Sequence, residues 1–150
     1  MKFPAPQLVY FDFYIDHTDS KVKYAHYNAG TSNTNIRNDT AITANTWNHV
    51  ALTSDGTTAK IYLNGTNNTV NNGAFGNNGD WFADNSGLDN LILGIVEYNG
   101  GTLLAPFSGS MDEVAFWNVP LTDAQISLLS SGSTRADSIV PPYISDGGWV

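Results

Sequence analysis

Cysteine is absent from this 150-residue chain, so disulfides and thiolate metal sites are excluded. Charge is scarce too: Asp, Glu, Lys and Arg make up 13% of the residues, and solubility must rest on Asn, Thr, Ser and Gly. Basic residues are the fewest, with 6 Lys and Arg against 14 Asp and Glu and a formal net charge of −8. Nucleic-acid binding is driven by cations that displace counterions from phosphates, so no nucleic-acid partner is expected. The carboxylate surplus is expected to serve solubility, with attraction of a cation as its other use. No window approaches the roughly 18 apolar residues of a membrane span, so no membrane insertion is expected. The N-terminal MKFPAPQLVYFDF puts Pro4, Pro6 and Asp12 where a signal peptide would carry its apolar run. The compartment stays open. A protein of this kind working outside a cell would be shown here from its mature start or would leave by lysis, as virus particles do. The expected setting is therefore a virion surface or the extracellular space.

What is present is apolar enough for one core, at 41% hydrophobic and 12% aromatic. One domain over residues 1–132 is expected, followed by an extended arm over 133–150. The clearest structural signal is WNHVALTSDGTTAKIYLNG, Trp47 to Gly65. Val50 with Leu52, and Ile61 with Leu63, each share one side of an alternating segment, which predicts a β-hairpin. Asp55-Gly56 and Asn64-Gly65 supply the residues that tight turns need. A fold of antiparallel strands follows from this.

Leu8 to Asp16 alternates Val9, Phe11, Phe13 and Ile15 against Tyr10, Asp12, Tyr14 and Asp16, as a half-buried strand does. Lys21 to Asn28, with Val22, Tyr24 and His26 on one face, is its hairpin partner. Asn28 to Asn45 is dominated by Asn, Thr and Gly and is expected to be loop with a short edge strand near Ile36 or Ile42. A short strand around Thr66 to Val70 would extend the central hairpin into a meander. The segment from Asn71 to Asn90 is loop-like, and its Phe75, Trp81 and Phe82 serve either as anchors under the sandwich edge or as a platform for a sugar ring. Leu91 to Val96 is continuously apolar and is expected to be an interior strand covered on both faces. Near the C-terminus Thr122 and Gln125 form a capping box, with Asp123 in the first turn, Leu121 and Ile126 as a hydrophobic staple, and Gly132 as the stop. That predicts one short helix near 122–131. The arm carries Ile139, Val140, Tyr143, Ile144 and Trp149 and should pack on its own sandwich or on a neighbour.

Taken together, Trp47-Asn48-His49-Val50-Ala51, Tyr62-Leu63-Asn64-Gly65, Gly109-Ser110-Met111-Asp112-Glu113-Val114 and Leu121-Thr122-Asp123-Ala124-Gln125-Ile126 resemble the laminin-G-like group of the concanavalin A-like lectin and glucanase superfamily. The resemblance covers roughly residues 8 to 131. It implies an all-β, two-sheet antiparallel jelly-roll sandwich. Family members normally begin with two or three more strands, so this sandwich is expected to be reduced or to receive strands from another subunit. Open sheet edges are usually covered, which favours life in an assembly.

Glucanases of the superfamily place carboxylates as E-x-D-x-x-E, or one residue shorter, on a single strand, where they share a face. This chain has only Glu97 and Glu113, and neither starts that pattern. Asp112 and Glu113 are adjacent, so on a strand they would face opposite ways. No G-x-S-x-G elbow positions a serine. His17, His26 and His49 lack metal-ligand spacing, and His49 is expected to make a structural hydrogen bond. N-x-T triplets begin at Asn38, Asn64 and Asn67, as chance allows in a chain so rich in both residues. Calcium is the cofactor to consider, because Asp80, Asp84 and Asp89 concentrate oxygen ligands in one loop. Trp81, Asn85 and Asn99 are the candidate ligand-binding residues. The expected function is a non-enzymatic structural or adhesion module of an assembly, such as a phage capsid-decoration or fibre component, with neighbouring subunits as partners. A secreted carbohydrate-binding module, calcium-dependent or not, is the alternative, with a glycan as partner.

Overall fold

The computed structural model describes residues 10–28, 31–73, 76–85, 91–98 and 102–139. Its framework is two antiparallel sheets facing each other. The first has the order β1 (Tyr10–Ile15), β2 (Lys21–Asn28), β3 (Thr31–Ala41), β7 (Thr69–Asn71). The second has the order β4 (Val50–Ser54), β5 (Ala59–Leu63), β6 (Thr66–Asn67). Val22, Tyr24 and Ile36 of the first sheet meet Ala59 and Ile61 of the second, with Phe11, Ile15, Ile42 and Leu52 closing around them. A separate two-stranded ladder, β8 (Val96–Tyr98) with β9 (Thr102–Leu104), follows.

The central hairpin forms where its turn chemistry puts it. The Asp55 carboxylate accepts the backbone N–H of Thr57 at 2.9 Å and of Thr58 at 2.8 Å, which locks the β4–β5 connection. Asn64 and Gly65 both have positive φ, 51° and 79°, the two-residue turn that matches strand twist. Gly65 also lies against the helix, and a Cβ there would stand 3.1 Å from Ser130. The hairpin is covered on both sides. Ile61 enters the main core, while Tyr62 enters a second cluster with Leu121, Ile126 and Ile139. The hydrogen bonds at His49 come from its backbone, which pairs with Asn64, whereas its buried Nδ1 has no partner among the described residues. Burial therefore pushes the ring's pKa down instead of being offset by the expected side-chain bond.

The helix α1 (Asp123–Ser130) carries the predicted capping box: Thr122 accepts the Gln125 N–H, and the Gln125 side chain accepts the Thr122 N–H at 2.8 Å. Gly132 closes it by donating to the Leu129 carbonyl at 3.0 Å. Ile139, just after a short 3-10 turn at Ala136–Ser138, packs into the same cluster, so the start of the arm belongs to the body.

Three expectations are corrected. The Asn-rich stretch is not loop with a short edge strand but an 11-residue strand, β3, interior between β2 and β7. Thr34 and Asn38 can face inward because each finds a distant hydrogen-bond partner, Asn78 and the Ile61 carbonyl respectively. The single strand expected over 66–70 is split, so β6 pairs with β5 and β7 crosses to the other sheet to pair with β3. Leu91 to Val96 is not an interior strand: only Val96 joins a ladder, and Leu91 and Leu93 are each 56% exposed. A doubly apolar run needs cover on both faces, and no second layer reaches this one among the described residues.

Candidate functional site

The loop over 76–85 closes one end of the sandwich and holds most of the sequence-predicted site residues. Asn77 acts in place of a strand, since its side-chain amide accepts the Ala59 N–H at 2.9 Å and donates to the Ala59 carbonyl at 2.8 Å. The Tyr24 hydroxyl donates to the Asp80 carbonyl at 3.0 Å, and burial pushes that phenol's pKa well up. The Asp80 carboxylate lies 3.6 Å from Nδ1 of His26, a fully buried ring whose nitrogens make no hydrogen bond among the described residues. A 3-10 turn at Phe82–Asp84 follows, in which the Asp84 carboxylate accepts the Trp81 N–H at 2.9 Å. The rings of Trp81 and Phe82 lie 4.4 Å apart, and Phe82 sits 5.7 Å from Phe11. The two aromatics thus anchor the loop to β1.

Asp80, Trp81, Asp84 and Asn85 are neighbours, but the two carboxylates take separate partners. Asn85 has a buried amide with no hydrogen bond among the described residues. Asp89 and Asn99 lie outside the described residues. No group of three His, Asp or Glu that could hold a metal occurs among the described residues, so the carboxylates seen do not by themselves make a calcium cage.

Two further surfaces were not singled out by local reasoning. On the outer face of β1–β2, Tyr10 and Tyr27 stack with ring centroids 4.8 Å apart, beside Asp12 and Tyr14. Desolvation, then the neighbouring Tyr27, pushes the Tyr10 phenol up to about 12, and burial raises Asp12. Cross-strand pairing of Tyr10 with Tyr27 was the available signal. The second surface is apolar. Among the described residues, 8 of the 15 exposed large hydrophobic side chains fall between Leu91 and Phe116. Next to it an open cleft of about 360 Å³ runs between Glu113–Trp117 and Arg135–Asp137, where the Arg135 guanidinium lies 3.3 Å from the Glu113 carboxylate. Another, of about 430 Å³, lies between β5 and the helix N-terminus, where the Tyr62 hydroxyl donates to Asp123 at 2.6 Å.

A sandwich of two antiparallel sheets with one short capped helix is the architecture of the concanavalin A-like fold. The chain belongs to the laminin-G branch of the concanavalin A-like lectin/glucanases superfamily, whose family profile matches residues 6–127. Domains of this kind are generally non-catalytic binding modules. No curated protein matches the chain. A similar solved structure is that of an S-layer domain-containing protein from Clostridium thermocellum, residues 221–444, at 19% identity and a TM-score of 0.44, covering 87% of this chain and 68% of that one. No helix among the described residues is long and apolar enough to cross a membrane.

Proposed function

We propose that the protein is a non-catalytic structural or adhesion module that works inside a larger assembly, with neighbouring protein subunits as its partners. The observation that carries this reading is the apolar surface between Leu91 and Phe116. Exposed apolar area is costly in water at about 25 cal/mol per Å², and a wide continuous patch of it marks a protein contact. The proposed setting is the surface of a virion, as a capsid-decoration or fibre component, where repeated subunits offer neighbours to cover such a face. Density-gradient purification of particles from the source, followed by mass spectrometry, tests it. The chain should co-sediment with the particles; recovery in the soluble fraction alone would overturn the virion setting.

The tyrosine strip favours a second reading, a carbohydrate-binding module, because a half-buried stacked pair, Tyr10 and Tyr27, beside the exposed Tyr14 and a carboxylate suits the apolar face and hydroxyls of a sugar. Signals on a glycan array that vanish in the Tyr10→Ala variant would establish it, and a blank array with and without calcium would remove it.

A further inference from the structure

The exposed apolar side chains between Leu91 and Phe116 sit on segments that touch one another. Val96 pairs across the ladder with Leu104, the Phe107 N–H donates to the Gly94 carbonyl at 2.7 Å, and Met111 reaches Gly94 so closely that a Cβ there would stand 2.9 Å from its methyl. The following segment alternates in burial: Ala115, Trp117 and Val119 are half-buried, whereas Val114, Phe116 and Asn118 are exposed. Trp117 packs on the Tyr62–Ile126 cluster, so one face of the segment is docked. From Ser108 to Val119 no backbone group hydrogen-bonds to another backbone group among the described residues. A period-two segment, apolar on both faces and without ladder bonds among the described residues, offers a strand edge for pairing.

Its occupant can be argued from size and charge. Large side chains carry roughly 200 Å² each, so eight at about half exposure present on the order of 800 Å². That exceeds the largest patch of a typical monomer, about 300–600 Å². It equals the ~800 Å² per partner of a standard interface. The −8 chain would attract a basic partner, but this face does not advertise for one, since Glu113 is already paired with Arg135. The face carries Asp112 and the Glu113–Arg135 pair beside its apolar side chains, so it holds charges of both signs, and a strand edge that pairs antiparallel with its own copy satisfies a two-fold contact.

We propose that this face is the contact between two copies of the chain. In it the Val114–Trp117 edge of each copy pairs antiparallel with the same edge of the other, and Leu93, Phe107, Met111 and Phe116 are buried across the join. The proposal rests on the assembly reading and deepens it by naming the surface. Sedimentation equilibrium of the full chain over about 1–100 μM, at or above the micromolar-to-picomolar dissociation constants of interfaces of this size, tests it. The expected mass is twice the 16.2 kDa of one chain. Phe116→Asp and Leu93→Asp should each weaken dimerisation at least tenfold with the circular dichroism spectrum unchanged, since both side chains are exposed in the single chain. Leu128→Asp, at an exposed position on the helix, should leave the dimer intact. A wild-type monomer throughout that range, or one that associates only with a different polypeptide, overturns the proposal. A dimer untouched by both aspartates overturns this face and leaves the assembly reading standing; absence from purified particles overturns the virion setting and leaves the dimer standing.

Discussion

Asp12 faces outward from β1 between Tyr10 and Tyr14, opposite Ala25 of β2, and burial alone raises its carboxyl pKa. The folded chain therefore holds this proton more tightly than the unfolded chain does. Its contribution to stability is fully present below the ordinary carboxyl range and is lost as pH rises through the raised value. Asp12→Asn removes the charge that is poorly solvated. Urea midpoints of the variant should exceed those of the parent at pH 7 and converge with them below about pH 3, where the parent is protonated too. A gap of the same size at both pH values would assign the effect to shape instead of charge. Gly79 answers to a different force. Its φ is 80°, and a Cβ there would fall 2.4 Å from the Thr57 nitrogen, a backbone atom that cannot swing away. Left-handed strain of about 1–2 kcal/mol adds to that clash. Gly79→Ala should thus lower unfolding stability by at least ~2 kcal/mol in urea titrations.

Elements became legible in the sequence to the degree that their causes are local. The hairpin of β4 and β5 announces itself through Asp55-Gly56 and Asn64-Gly65, and α1 through Thr122, Gln125 and Gly132, because turns and caps are satisfied within a few residues. Thr122→Ala should accordingly cost about 1 kcal/mol, read by thermal unfolding. β3 was illegible for the opposite reason. Its inward Thr34 and Asn38 are tolerated only because Asn78 and the Ile61 carbonyl, 44 and 23 residues away, complete them. The edge of β5 depends on remote side chains in the same way: Thr69 accepts the Ile61 N–H at 2.7 Å, and Asn77 pairs with both backbone groups of Ala59. Asn77→Ala would strand two backbone groups, each worth roughly 1–3 kcal/mol when left unsatisfied and away from water. Amide exchange at Ala59 should quicken in that variant while α1 stays protected. At the loop site Asp80, Trp81, Asp84 and Asn85 were found through composition, whereas their link to His26 needed the fold to bring residues 54 positions apart within 3.6 Å.

The whole molecule sets a dispersed charge against a concentrated apolar face. With a net charge of −8 on each chain, two copies brought together through the Leu91–Phe116 surface repel one another over the rest of their surfaces. That repulsion limits association at low ionic strength, where the Debye length is about 30 Å at 0.01 M and most carboxylates of one chain sense those of the other. At about 0.5 M salt the screening length falls to a few ångströms, while burial of apolar area is unaffected or strengthened. Self-association of this chain should therefore tighten as sodium chloride rises from about 0.01 to 0.5 M, the opposite of what a charge-steered complex does. Sedimentation equilibrium across that salt range reads the sign directly. Weakening with salt would mean that ion pairs hold the copies together, and would point away from the apolar face towards Lys21, Arg37 and their Asp39 partner on the outer surface of the first sheet.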